Sequence, residues 1–468
     1  MTTRYLSVAV AAALLCGPIA TAGAEPPANP TVGSPGLGDP YYPMDGNGGY
    51  NVDNYDLAID YEPSTHVLTG RATISAKATQ LLSAFNFDYQ GPEVTGVSVN
   101  GLPARFDRNG EHELTIVPAL PVLPLLPFTV VVDYSGERTE SDQGFYYTPS
   151  GGAFVSGQPH GAPLWYPVND TPLDKATYTI RTTVPREWDV VANGVRTQDE
   201  PKGDRHTVTW RMNTPMISYL STIAIDHFTY LNQQRANGTP LISAFAPGME
   251  DREGLERRLP EILDFLESLY GPYAFEAGGG TYMSNDIEFS LETQSRPIYA
   301  GWAKKLNVVV HENTHQWWGD SMSITHWSDI CMNECFASYT ADFLWPERQE
   351  GANPDDIYRT ALNKLDTKRP EHWQIPPGNP GAGKEFTSVY DRGPLFLHAL
   401  RRTIGDEVFF AAIRDWVQGH RYANNTLPDF EHFIEQRSGH NLADFFDAWL
   451  MQPTRPADQY LYPGNLGS

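Results

Sequence analysis

Histidine, glutamate and histidine stand at positions 311, 312 and 315, inside the stretch "VVVHENTHQWWGD". Residues four apart on a helix project to one face, about 6 Å apart. His311 and His315 can then converge on one metal ion at ~2.0–2.1 Å. Glu312 lies next round the helix, in reach of a water on that ion without ligating it. Gly319 is placed to stop the helix. The competing reading is two histidines packed or solvated for structural reasons, and the motif by itself leaves that open. Two histidines also leave a zinc underligated, because a catalytic site takes three protein ligands and keeps a fourth position open. "DICMNECFASYTADFLW" supplies Glu334, with 18 residues between it and His315. That gap suits a helix end, a loop over 320–327 and two turns of a second helix. A carboxylate in so apolar a helical run is otherwise out of place.

The elements that must hold these residues fall into two groups. A chain of 468 residues is too long for one core. Residues 49–236 read as an all-β domain: "YDLAIDYEP", "FTVVVDYSG" and "KATYTIRTTVP" alternate β-branched and polar residues between Gly, Pro, Asn and Asp. Residues 237–455 read as a mostly helical α+β domain carrying the motif, with "GPLFLHALRRTIG" and "DEVFFAAIRDWVQGH" at helical spacing. Residues 456–468 form a tail. Residues 25–48 are Pro- and Gly-rich and read as a linker or arm.

The first 24 residues read as a signal peptide: one charge at Arg4, an apolar run over 6–16, then Ala22-Gly23-Ala24 before Glu25. Secretion is the expectation. A lipoprotein reading wants a small residue before Cys16, and Leu15 stands there. No later stretch suits a membrane span. The net charge of −24 argues against nucleic acid and anionic lipid as partners. Cys331 and Cys335 share one helix face, poor geometry for a bridge, and are expected to be small buried apolar side chains.

His-Glu-x-x-His, 18 residues, then Asn-Glu-x-Phe-Ala resembles the gluzincin aminopeptidases, the family of aminopeptidase N and leukotriene hydrolase. "GQPHGAPLWYPVNDTPLDKATYTIRTTVP", "FSLETQSRPIY" and "VYDRGPLFLHALRR" are similar to three further blocks of that family, in order. The resemblance implies a saddle-like β-sandwich domain followed by a thermolysin-like catalytic domain. It implies one Zn2+ per chain on His311, His315 and Glu334, with Glu312 as general base. Tyr390, in a Tyr-x-x-Gly block, matches the tyrosine that hydrogen-bonds the oxyanion; the other reading is an amphipathic packing residue. Glu292 matches the glutamate that grips a free α-amino group, and Gln158 a glutamine beside it. Here Phe289, Leu291 and Thr293 replace the family's Gly, Met and Asn. The acid expected seven residues past Glu334 is Ala341, and Asp342 follows, either orienting a ligand histidine or solvated. His326 is off the spacing and is expected to pack or cap.

The resemblance implies peptides with a free N-terminus as substrates and a secreted zinc aminopeptidase as function. The family's helical roof over the cleft has no counterpart in these residues, which argues against a leukotriene-type role. A thermolysin-type endopeptidase, or a catalytically inactive surface binding module, are the alternatives. The preferred N-terminal residue and the oligomeric state are not set by the sequence.

Overall fold

The computed structural model describes residues 29–467, apart from 111, 140–143, 286 and 465. The expected signal segment 1–24 lies outside the described residues. Strand β1 (Tyr50–Glu62) buries Tyr50 and Val52, then Tyr55, Leu57, Ile59 and Tyr61. The alternation slips by one residue where a bulge falls between Val52 and Asn54, in the antiparallel pairing with β2 (Val67–Ala78). The bulge keeps both halves of the strand facing the same core. With β3 (Glu93–Val99), β4 (Leu102–Pro103), β5 (Pro127–Glu137), β6 (Ala176–Pro185), β7 (Val195–Lys202) and β8 (Arg205–Met216) these strands make an eight-stranded sheet. Its order is β7-β8-β6-β1-β2-β5-β3-β4, and β1 and β6 run parallel.

Two four-stranded sheets pack with it. Tyr50 of β1 meets Phe85 and Phe87, from the neighbouring strand Leu82–Asp88, edge to face at 5.9 and 5.4 Å. This aromatic layer is the core between the sheets. Residues 29–49 form an arm. Thr31–Val32 pairs with Leu82–Asp88, and Tyr42 reaches the second domain, where its hydroxyl donates to Glu385 at 2.7 Å.

The second domain opens on a sheet of β9 (Thr229–Gln234), β10 (Pro240–Phe245), β11 (Thr281–Tyr282) and β12 (Ile298–Tyr299), in that order. That sheet starts at Thr229, ahead of the division at 236 read from the sequence. Helix α1 (Leu259–Tyr270) begins with Pro at its first turn and ends at Gly271. Six more long helices follow: α2 (Leu306–Thr314), α3 (Cys331–Tyr339), α4 (Pro354–Lys368), α5 (Arg392–Ile404), α6 (Asp406–Gly419) and α7 (Leu427–Ser438). Helix α3 widens into a π-helical turn over Thr340–Leu344, a feature that gathers at functional sites. No helix among the described residues is long and apolar enough to cross a membrane.

Cys331 and Cys335 are not separate apolar side chains, as the sequence suggested. They form a disulfide in the first turns of α3. Their Cα atoms stand 4.8 Å apart, inside the span a disulfide bridges. Helix α5 packs directly on this turn. A Cβ placed on Gly393 would sit 2.3 Å from Cys335 Sγ and 2.8 Å from its Cβ. Glycine therefore sets the spacing of α5 and α3, and with it the position of Tyr390, three residues earlier. Gly393→Ala is expected to destabilise the protein by roughly 1–3 kcal/mol through overpacking. A lowered denaturation midpoint in urea checks it; an unchanged midpoint means the helices are not in register through this residue.

Candidate active site

Helix α2 buries Val309 and Val310 against the core and ends at Thr314, earlier than a stop at Gly319 would give. His315 is its C-cap and keeps right-handed helical angles, so the four-residue relation to His311 holds. Gly319 has φ of +131°. A Cβ there would stand 3.2 Å from Asn333 Nδ2 and 3.5 Å from His315 Nδ1. It lets the chain turn tightly under the histidine ring. Trp318 then lies flat on Phe336 of α3, with ring centroids 3.5 Å apart and planes 4° from parallel. That stack holds α3 so that Glu334 faces the two histidines.

Three donor atoms meet. His311 Nε2 is 3.2 Å from Glu334 Oε2 and 3.2 Å from His315 Nε2; His315 Nε2 is 3.4 Å from Glu334 Oε2. A tetrahedral ion with ligands at ~2.0–2.1 Å has ligand atoms about 3.3 Å apart. The three side chains therefore fit zinc without rearrangement. His315 Nδ1 lies 3.0 Å from the Trp318 carbonyl. A carbonyl only accepts, so in the neutral ring the proton sits on Nδ1 and the Nε2 lone pair faces the site. Burial alone would raise Glu334, but the facing imidazoles bring it down to about 2. Burial, partly offset by His311 and His315, pushes Glu312 up to about 7.

Glu292 sits at the start of a hairpin closed by two backbone bonds of 2.8 Å between Leu291 and Ile298. Gln316, next to the metal motif, clamps that hairpin. Its side chain accepts from the Ser295 N–H at 2.7 Å and donates to the Glu292 carbonyl at 3.1 Å. Glu292 is 2% exposed, and one of its oxygens lies within 4.8 Å of the His315 and Glu334 donor atoms. The Gln158 amide and the Tyr219 hydroxyl donate to its Oε1 at 3.1 and 2.9 Å. Both donors come from the β domain. Burial raises the Glu292 carboxyl, His315 opposes this and Glu334 adds to it.

Tyr390 stands on the far side of the cleft, its ring centroid 6.0 Å from that of His311. It is 40% exposed to the cleft. Withdrawal of its phenol from water, and then the carboxylates Glu334, Glu292 and Glu312, raise it well above its ordinary value. It therefore keeps its proton and can donate it. The cleft holds about 570 Å³ and has Phe289, Trp302 and Phe386 on its walls. Phe289 thus faces the cleft, where the family's glycine leaves room. The bond shown for Asp342 goes to Asn307 Nδ2 at 3.2 Å, not to a histidine ring. His326 Nδ1 lies 3.6 Å from Asp329.

So the structure brings His311, Glu312, His315, Glu334, Glu292, Gln158 and Tyr390 to one cleft. Residues 51–220 match the Peptidase M1 N-terminal domain, and residues 278–449 match the Peptidase family M1 domain. The chain belongs to peptidase family M1. Relatives of this M1 chain include tricorn protease-interacting factor F2 of Thermoplasma acidophilum, 23% identical over 88% of this chain and 55% of that protein. Aminopeptidase N of Lactococcus lactis is 23% identical over 86% of this chain and 51% of that one. The chain thus spans about half the length of these relatives. The fold is that of the M1 zinc metallopeptidase of Deinococcus radiodurans, here a glutamate-to-alanine variant bound to a Tyr-Ser-Ala substrate. That structure superposes with a TM-score of 0.82 at 24% identity, covering 92% of this chain and 100% of that one.

Sequence reasoning passed over Gln316 and Tyr219. Gln316 follows the motif directly; Tyr219 is one of 24 tyrosines with no local signature. The ligand geometry separates two substitutions. Outer partners of metal ligands change affinity 10–100-fold, so His311→Ala is expected to lose zinc affinity by about 100-fold or more. Glu312→Gln should leave it nearly unchanged. Competition against a chelator measures both, and equal losses would make Glu312 a ligand.

Proposed function

We propose that this chain is a zinc aminopeptidase that removes the first residue of peptides, with a single zinc on His311, His315 and Glu334. The observation that carries the reading is the position of Glu292 beside the ligand atoms. In an amino acid the α-nitrogen and the carbonyl carbon are about 2.5 Å apart. A carboxylate holding an N-terminal ammonium so close to the metal puts that residue's own carbonyl, and no later one, at the reacting position. Zinc bound there supplies a Lewis acid that polarises the carbonyl and acidifies water.

The chain's own residues do the rest. Glu312, one residue from His311, takes the proton of the attacking water and returns it to the leaving amine. The Tyr390 hydroxyl donates to the oxygen that becomes negative as the carbonyl carbon turns tetrahedral. Gln158 and Tyr219 fix Glu292 through Oε1, and the same buried carboxylate pairs with the ammonium. Phe289, Trp302 and Phe386 offer apolar surface to peptide side chains. Export is part of the proposal, on the apolar N-terminal run and Ala22-Gly23-Ala24; N-terminal sequencing of the mature protein should begin at Glu25.

Two expected outcomes test the roles. Glu312→Gln lowers kcat by ~10²-fold or more, and Tyr390→Phe lowers kcat with little change in KM, since its bond forms mainly in the transition state. Steady-state kinetics on aminoacyl substrates reads both; a Tyr390→Phe loss confined to KM would put the phenol in ground-state binding. Glu292→Ala should weaken free-amine substrates, seen as a rise in KM, while zinc content stays at the native level. Native KM in that variant would remove the ammonium anchor, and with it the argument for exopeptidase action over a thermolysin-type cut.

A further inference from the structure

The β domain carries a second set of converging donor atoms that the catalytic centre does not use. Among the described residues, three groups of His, Asp and Glu donor atoms lie within 4.8 Å of one another. Two belong to the cleft: His311, Glu312 and His315, and Glu292, His315 and Glu334. The third is Asp88, His112 and Glu113. Asp88 ends the strand Leu82–Asp88 and stands directly opposite Glu113 on its antiparallel partner. Like charges opposite each other on a sheet repel, so the fold holds together what electrostatics would separate.

Three more residues complete the ring. His112 Nε2 is 3.0 Å from Asp88 Oδ1 and 3.8 Å from Asp45 Oδ1; His160 Nδ1 is 3.1 Å from Asp45 Oδ2. Asp170 donates its backbone N–H to Asp88 Oδ2 at 2.7 Å. Asp88, Glu113 and Asp170 are 0%, 6% and 3% exposed. Yet Asp88 Oδ1, both carboxylate oxygens of Glu113, Asp170 Oδ2, His112 Nε2 and His160 Nδ1 have no hydrogen-bond partner among the described residues. His112 and Asp88 do meet as an ion pair at 3.0 Å, as His160 and Asp45 do at 3.1 Å. Buried polar atoms are almost always hydrogen-bonded. Both Glu113 oxygens and Asp170 Oδ2 have neither kind of partner, and buried carboxylate oxygens left open beside two histidines are arranged as ligands are around an ion.

We propose that Asp45, Asp88, His112, Glu113, His160 and Asp170 bind a divalent transition metal, in a site separate from the catalytic centre. Imidazole nitrogen mixed with carboxylate oxygen suits Zn2+ or Mn2+; Ca2+ takes oxygen alone. Gln90 lies 3.1 Å from His112 Nδ1. The Gln90 Nε2–H donates to that nitrogen, so the ring proton sits on Nε2, facing Asp88, and a metal bound there releases it. The ion would tie the arm to the cleft. Asp45 belongs to the arm, and His160 lies two residues from Gln158, which holds Glu292. Tyr42 packs edge-on against His160 at 4.6 Å while bonding Glu385, ahead of Tyr390.

The test uses the full-length chain carrying His311→Ala, stripped with a chelator and titrated with Mn2+ alone and then Zn2+ alone. Calorimetry and elemental mass spectrometry count the metal. One equivalent is expected to bind and to raise Tm, as metal that binds only the folded state must. Adding Glu113→Gln, which keeps the volume and removes the charge, should weaken that binding about tenfold or more. His160→Ala, on a different segment, should do the same; circular dichroism shows which variants fold. The unsubstituted chain, which needs no variant, should take up two equivalents of Zn2+. Uptake of a single equivalent by that chain overturns the proposal. So does the absence of uptake by the His311→Ala chain, or uptake that neither Glu113→Gln nor His160→Ala weakens.

Discussion

One packing contact governs the cleft: Trp318 lying flat on Phe336. A three-ligand metal site asks for donor atoms about 3.3 Å apart, and here they come from two helices. His311 and His315 are fixed to each other by the turn of α2. Glu334 is fixed to them only through the packing of α3. The stack sets that distance, and glycine twice makes it reachable. Gly319 allows the turn under His315, and Gly393 allows α5 to press on the other side of α3. A side chain at either position would move a ligand or the phenol that faces it.

The second requirement, under the proposed aminopeptidase reading, is that a peptide end meet the metal in one register. The β domain supplies this. Gln158 and Tyr219 come from it, and both bond Glu292. It also receives the hairpin that carries Glu292: the Asn193 side chain donates to the Gln294 carbonyl at 2.9 Å, and the Gly194 N–H donates to Ser295 Oγ at 2.8 Å. Gln316 joins the same hairpin to the metal motif. The anchor and the metal motif are thus coupled through the two hydrogen bonds of Gln316. The β domain thus reaches the candidate site, through connections between its large sheet and a four-stranded one.

What the sequence made legible follows from how each feature is encoded. His311 and His315 are visible because helix periodicity turns a spacing into a direction. Glu334 is visible because an acid is unexpected in an apolar helix. The strands of the β domain show in their alternation. Tyr219 is invisible, since only tertiary packing brings it to Glu292. The disulfide of Cys331 and Cys335 is not legible, since a shared helix face leaves bridged and separate thiols alike open; here the Cα atoms are 4.8 Å apart. Strand β9 falls ahead of the division at 236 because a strand reads alike in either sheet. The helix end at Thr314 leaves no mark in the sequence, because His315 to Trp317 continue as turns and no breaking residue precedes Gly319. The polar ring around Asp88 gives no signal, because its members, apart from the adjacent His112 and Glu113, lie far apart in the chain and each is ordinary by itself.

The central claim is that the cleft registers peptides from their free end. The most direct measurement is mass spectrometry of the products from one unmodified peptide and its N-acetylated copy, incubated with the native zinc-loaded protein. The account predicts single residues released in order from the free N-terminus, and an acetylated copy left intact. Internal fragments, or equal cutting of both peptides, would contradict it.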